Sequence, residues 1–212
     1  MHEAERYLAS RKSAEIRAST KTSVGSSAPG DIFQTAGLPP SSTQVGRKGI
    51  LFYLMLLSGL FSIVAAILRQ LTIGLPEILA AIVVAPPVEE VLKVAIPIMV
   101  LEHRATWLGR GHDLLWFALG SALIFASVEN LLYTFVYLSS PSSELLLWRW
   151  AGCTTMHVVA SGLSGVGLMR AYNRGRRENQ PPRFVWEWPW LVGAIAVHMA
   201  YNTFAVFFAE PF

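Results

Sequence analysis

Long apolar runs dominate the chain from residue 49 onward, covering about 49–68, 71–102, 114–138, 145–169 and 186–209. About 20 predominantly apolar residues suffice for a helix to cross the hydrocarbon core of a bilayer. Within that core only helices and closed barrels satisfy their own backbone groups. The chain therefore reads as an all-α polytopic membrane protein, a bundle of about five transmembrane helices. Composition agrees: 53% of the 212 residues are hydrophobic and 15% are charged, against roughly 25% charge in a soluble domain. Whole-chain disorder is excluded by the same apolar content. Cys153 is the single cysteine, which excludes a disulfide scaffold and a multi-thiolate zinc site. A net charge of +3 gives no reason to expect a nucleic-acid partner.

Two regions follow. Residues 1–48 form a basic, partly flexible tail, and 49–212 a transmembrane helical domain. Within the tail, 4–18 has the pattern of a short amphipathic helix with Arg6, Arg11, Lys12 and Arg17 on its polar face. Residues 19–46 are rich in Ser, Thr, Gly and Pro and read as a tether. The run at 71–102 is too long for one straight span. Pro86-Pro87 breaks it, because proline is not accommodated inside a regular helix and is at home at a helix start. Basic residues set the orientation. Arg47-Lys48, the loop with Arg104 and Arg110, and the loop at 170–185 with Arg170, Arg174, Arg176, Arg177 and Arg183 share one side if there are five crossings. The N-terminus is then cytoplasmic. Trp148, Trp150, Trp186, Trp188 and Trp190 fit interfacial belts.

The chemistry lies in polar residues placed deep in these spans: Glu89, Glu90, Glu129, His157, His198, Asn130 and Asn202, with Lys93 as the deep cation. A charge at the centre of a membrane helix costs roughly 2.5–3.5 kcal/mol, so such groups are retained for a function and are paired or hydrated. Each sits near the middle of its own span, so four spans bring them to one level. Glu89 and Glu90 lie four and three residues before Lys93, within reach along a helix. Adjacent residues point about 100° apart on a helix, so one glutamate faces a cavity while the other is held. In the first turn of a helix starting near 87, free N–H groups would favour a carboxylate. His198 and Asn202, four apart, share a face. Ser161, Gly162 and Gly165 read as close helix packing, and Cys153 as a small packing residue.

Pro-Pro-Val-Glu89-Glu90-Val-Leu-Lys93 resembles the Glu-Glu-x-x-Lys motif of PrsW-type intramembrane proteases. Phe125-Ala-Ser-Val-Glu129-Asn130 is similar to the family's Phe-x-x-x-Glu-Asn element. His157, in Met-His-Val-Val-Ala-Ser-Gly, and His198-Met-Ala-Tyr-Asn202 resemble its third and last motifs. The set runs in family order from about 86 to 203, leaving the tail and first span outside it. The wider clan of CAAX prenyl endopeptidases and CPBP proteins carries Glu-Glu-x-x-x-Arg and Phe-x-x-x-His. Here Lys93 is one residue closer and Glu129 replaces the histidine, so the chain looks PrsW-like and a prenylated substrate is not implied.

The resemblance implies peptide-bond hydrolysis in or near a bacterial plasma membrane, on single-span membrane proteins such as anti-sigma factors. In the leading reading no cofactor is required. Glu89 or Glu90, with Glu89 preferred, takes a proton from water; Glu129 and His157 hold that water. His198 and Asn202 polarise the scissile carbonyl, and Lys93 and Asn130 support them. A second reading adds zinc, with Glu89, Glu129, His157 and His198 as ligands, although no His-Glu-x-x-His helix is present. A third is a non-catalytic scaffold or proton conduit. The partners expected are the lipid bilayer and a membrane-protein substrate; oligomeric state has no signature here.

Overall fold

The computed structural model describes residues 42–72 and 76–208. The amphipathic helix expected over 4–18 lies outside the described residues, as does the tether up to residue 41. Among the described residues every regular element is helical: α1 (Ser42–Thr72), α2 (Glu77–Leu79), α3 (Ala85–His103), α4 (His112–Leu132), α5 (Ser143–Trp148), α6 (Thr154–Glu178) and α7 (Trp188–Phe208). Three π-helical turns, Ala80–Val84, Tyr133–Tyr137 and Arg149–Cys153, join or extend these helices without a loop. Helix α6 is central, packed between α4 and α7, while α1 lies against α3 and α4. At Gly165 a Cβ would stand 3.0 Å from that of Ala118 and 3.2 Å from the Leu115 backbone. Only glycine allows α6 to approach α4 this closely.

The surface departs from that of a soluble domain, and the largely apolar interior includes polar groups. Large apolar side chains face outward, among them Tyr53, Trp116, Phe135, Leu147 and Phe208. The interior holds Glu90, Lys93, Ser121, Asn130, Ser161 and Ser164, none with exposed surface. Contiguous apolar surface on this scale meets lipid rather than water. His112–Tyr137 and Trp188–Phe208 are each long and apolar enough to cross a membrane. The molecule is an all-α membrane protein.

Three boundaries differ from the sequence reading. Helix α1 starts at Ser42, upstream of the expected 49. Helix α6 continues to Glu178, so Arg170, Arg174, Arg176 and Arg177 stand on its last turns rather than in a loop. Cations there oppose the negative end of the helix dipole. Asn179 then closes the helix in the left-handed conformation, φ 51°, its N–H bonded to the Gly175 carbonyl.

The third difference concerns Pro86-Pro87. The expected break takes the form of the π-turn Ala80–Val84, after which α3 begins at Ala85 with both prolines in its first turn. Ala85 N–H bonds to Ala80 O, one residue further back than in an α-helix. The helix thus widens ahead of two residues that cannot donate. Helical backbone is continuous from Glu77 to His103, and the first turn of α3 holds no acidic residue. The glutamates sit in its second turn, so the attraction of free helix-terminal N–H groups expected for them does not apply.

Candidate active site

Three residues apart on α3, Lys93 and Glu90 meet directly, with Nζ 2.7 Å from Glu90 Oε1. Both are fully buried, so each charge depends on the other. The same ammonium lies 2.7 Å from His157 Nδ1 and 4.2 Å from the centre of the Phe125 ring. An ammonium only donates, so His157 Nδ1 accepts and Nε2 carries the proton. That Nε2 donates to Glu129 Oε2 at 2.9 Å. His198 Nδ1, on α7, donates to Glu90 Oε1 at 2.9 Å, leaving Nε2 3.8 Å from Glu89 Oε2. The two imidazoles stand edge to face, 4.9 Å apart. Phe125 packs its ring at 4.8 Å from His157 and so forms one wall of the cluster.

The division of labour between the glutamates is visible here. Glu90 accepts from Lys93, His198 and, at 3.3 Å, Ser161 Oγ. Glu89 lines a small cavity of about 30 Å³ together with Glu129, Phe125, Leu132, Tyr133 and Tyr137. A volume of that size holds a water molecule. Glu90 is therefore the held carboxylate and Glu89 the one that faces the cavity. Ser161, read from the sequence as packing, is a ligand of Glu90. Its position four residues after His157 puts it on the same face of α6 and was the available signal.

The two asparagines are engaged in backbone work. Asn202 Nδ2 donates to the Ala81 carbonyl at 2.9 Å. In π register that carbonyl would face Pro86, which has no N–H, and Ala85 N–H is already given to Ala80. Asn202 thus fills a vacancy that proline creates. Asn130 Nδ2 donates to the Arg149 carbonyl at 3.3 Å and to Thr154 Oγ1 at 3.1 Å, bracing the π-turn ahead of α6. A second buried cation accompanies Lys93. Arg149 Nη2 lies 3.7 Å from Glu129 Oε1, and its guanidinium covers the Tyr133 ring at 3.4 Å. It was passed over in the sequence because it stands near the start of the run at 145–169, beside Trp148 and Trp150.

A family model described as PrsW family intramembrane metalloprotease matches residues 47–212. The chain belongs to the PrsW family. At the level of the family it is an intramembrane protease. The match takes in most of α1, which the motif resemblance had left outside. Comparison with curated proteins and with solved structures finds no match.

The family description implies a metal, and the donor set accommodates one. Ligand atoms of Glu89, His157 and His198 lie within 4.8 Å of one another, and all three residues are buried. Two histidines and a glutamate are a known set for catalytic zinc. Glu90 on His198 Nδ1 supplies the carboxylate that commonly orients a ligating imidazole. Both nitrogens of His157 are engaged, so holding an ion requires it to release Lys93 or Glu129. Glu129, the fourth ligand considered from sequence, falls outside this group and lies instead on His157.

Proposed function

We propose that the site hydrolyses a peptide bond of a single-span membrane protein, with Glu89, His157 and His198 holding a divalent metal such as zinc. The observation that carries this reading is the convergence of those three buried ligand sets, from α3, α6 and α7, beside a cavity large enough for water. When bound, the ion supplies Lewis-acid polarisation. The chain's own groups do the rest. Glu129, on the cavity wall, accepts a proton as the water oxygen bonds to the scissile carbonyl carbon and the carbonyl π electrons move onto its oxygen. When the C–N bond breaks, that proton passes to the departing nitrogen, and acid and amine products result. Lys93 neutralises Glu90, and Glu90 fixes the orientation of His198.

A metal-free reading has one observation in its favour: Glu89 faces the cavity while Glu90 is saturated. Glu89 itself would then take the proton. The chain as a multi-pass protein of a bacterial plasma membrane, N-terminus cytoplasmic, with the bilayer and an anti-sigma-like substrate as partners, belongs to the same proposal. Its support is the placement of basic residues at Lys48, Arg104, Arg110 and on the end of α6.

The test is reconstitution of the full chain and of Glu89→Gln, Glu129→Gln and His198→Ala variants in liposomes with tagged single-span substrates. Metal content is measured in each. The expected result is cleavage abolished by each substitution, lost on chelation and restored by zinc. Metal-free protein that cleaves with undiminished, Glu89-dependent activity would move the proton-accepting role to Glu89 and eliminate the ion.

A further inference from the structure

We infer that Arg149 is a donor to the substrate's scissile carbonyl, a catalytic group outside all four sequence motifs. The inference rests on the hydrolytic reading above. Arg149 stands on the π-turn Arg149–Cys153 and is 6% exposed. Guanidinium stays charged in proteins, and an interior cation is expensive in a membrane bundle. The carboxylate beside it, Glu129, has Oε1 3.7 Å from Nη2, beyond hydrogen-bond length. Among the described residues Nε and Nη2 have no hydrogen-bond partner. Buried donors left unmatched cost about 1–3 kcal/mol, more when charged.

The group is nonetheless held firmly. Its face rests on Tyr133 at 3.4 Å, and its backbone carbonyl accepts from Asn130 and from Thr154 N–H. The residues against it, Tyr133 and Glu129, both line the 30 Å³ cavity that Glu89 faces. A charged fork is thus fixed directly behind the wall that Tyr133 and Glu129 form, with two of its nitrogens, Nε and Nη2, unmatched by an acceptor among the described residues. Peptide substrate brings one. As the water oxygen bonds to the carbonyl carbon, the π electron pair moves to the carbonyl oxygen, and a preorganised donor gains most from that developing charge. Asn202, to which the sequence assigned this task, is already occupied by Ala81.

The experiment compares full-length wild type, Arg149→Lys, Arg149→Gln and Glu89→Gln in liposomes on one tagged single-span substrate. Turnover, thermal midpoint and bound zinc are recorded together. Both Arg149 variants should lose kcat by about 10²–10³-fold. KM should stay within about threefold, because the interaction strengthens only in the transition state. Thermal midpoint and zinc content should be unchanged in Arg149→Lys, which keeps the charge beside Glu129. Near-wild-type kcat in Arg149→Lys with loss in Arg149→Gln would overturn the inference in favour of simple charge balance for Glu129. Undiminished kcat in both would also overturn it, as would losses that follow stability or metal content. Failure of the hydrolytic reading is separately visible: wild type would cleave nothing across a substrate panel, or Glu89→Gln would cleave normally, and the inference falls with it.

Discussion

Asn202 Nδ2 bonds to the Ala81 carbonyl at 2.9 Å and thereby joins α7 to the π-turn that precedes the glutamate pair. The bond exists because Pro86 cannot supply the N–H that this carbonyl would otherwise receive. It holds α7, and with it His198, in register with Glu89 and Glu90. Asn202→Ala should lower stability by about 1–2 kcal/mol, the upper range for interhelical hydrogen bonds in membrane proteins. Turnover should fall less than tenfold, about 1 kcal/mol or less in the barrier. Denaturant unfolding in detergent, paired with cleavage kinetics, checks this. A hundredfold loss of kcat at unchanged stability would give Asn202 back its sequence-assigned role at the carbonyl.

Glu90 and Lys93 behave as one unit, since neither has water to fall back on. Replacing either alone, Glu90→Gln or Lys93→Met, leaves an uncompensated buried charge and should cost about 3–5 kcal/mol. The double variant removes both charges. Its loss should be smaller than the sum of the single losses by about 1–3 kcal/mol, measured as a double-mutant cycle. Strict additivity would mean that the 2.7 Å contact carries no coupling, and that the pair is held by its separate partners His157 and His198.

Much of this arrangement was legible in the sequence, for a specific reason. Apolar spans tolerate few ionisable residues, so Glu89, Glu90, Lys93, Glu129, His157 and His198 announced themselves by being there at all. Helical spacing also predicted that only one of two adjacent glutamates would face the cavity. Backbone events were not legible. Pro86-Pro87 marked a break but not its form as the π-turn Ala80–Val84, whose vacant carbonyl is met by Asn202 far along the chain, and nothing in Arg149–Cys153 marks a π-turn. The roles of Asn130 and Asn202 follow from those turns and were hidden with them. Arg149 was hidden differently: at a span edge beside two tryptophans it has the appearance of an interfacial residue, and only the fold turns it inward.

Metal binding offers a prediction independent of turnover. If Glu89, His157 and His198 hold the ion, His198→Ala and Glu89→Gln should each reduce bound zinc well below stoichiometric. Ser161→Ala should leave it intact, because Ser161 donates to Glu90, which is not among the three ligands. Glu90→Gln keeps all three ligands but weakens the orientation of His198, and should lower zinc affinity about 10–100-fold. Competition with a chromophoric chelator measures all four. Equal affinity in wild type and His198→Ala would remove this donor set from consideration.

Ser58 and Pro97 supply the last prediction, because one creates the need that the other meets. Pro97 lies inside α3 and has no N–H for the carbonyl of Lys93, four residues earlier. Ser58 Oγ, on α1, donates to that carbonyl at 2.8 Å. The bond fixes the backbone from which the Lys93 ammonium reaches Glu90 and His157. In the native chain Ser58→Ala should cost about 1 kcal/mol, the net worth of one buried hydrogen bond. Pro97→Ala restores an N–H within α3, and in that background the same Ser58→Ala change should cost close to nothing. Unfolding free energies of the four proteins in one detergent give the comparison. A Ser58→Ala penalty of equal size in both backgrounds would show that Ser58 acts by packing α1 against α3, and that the proline-vacated carbonyl finds another donor.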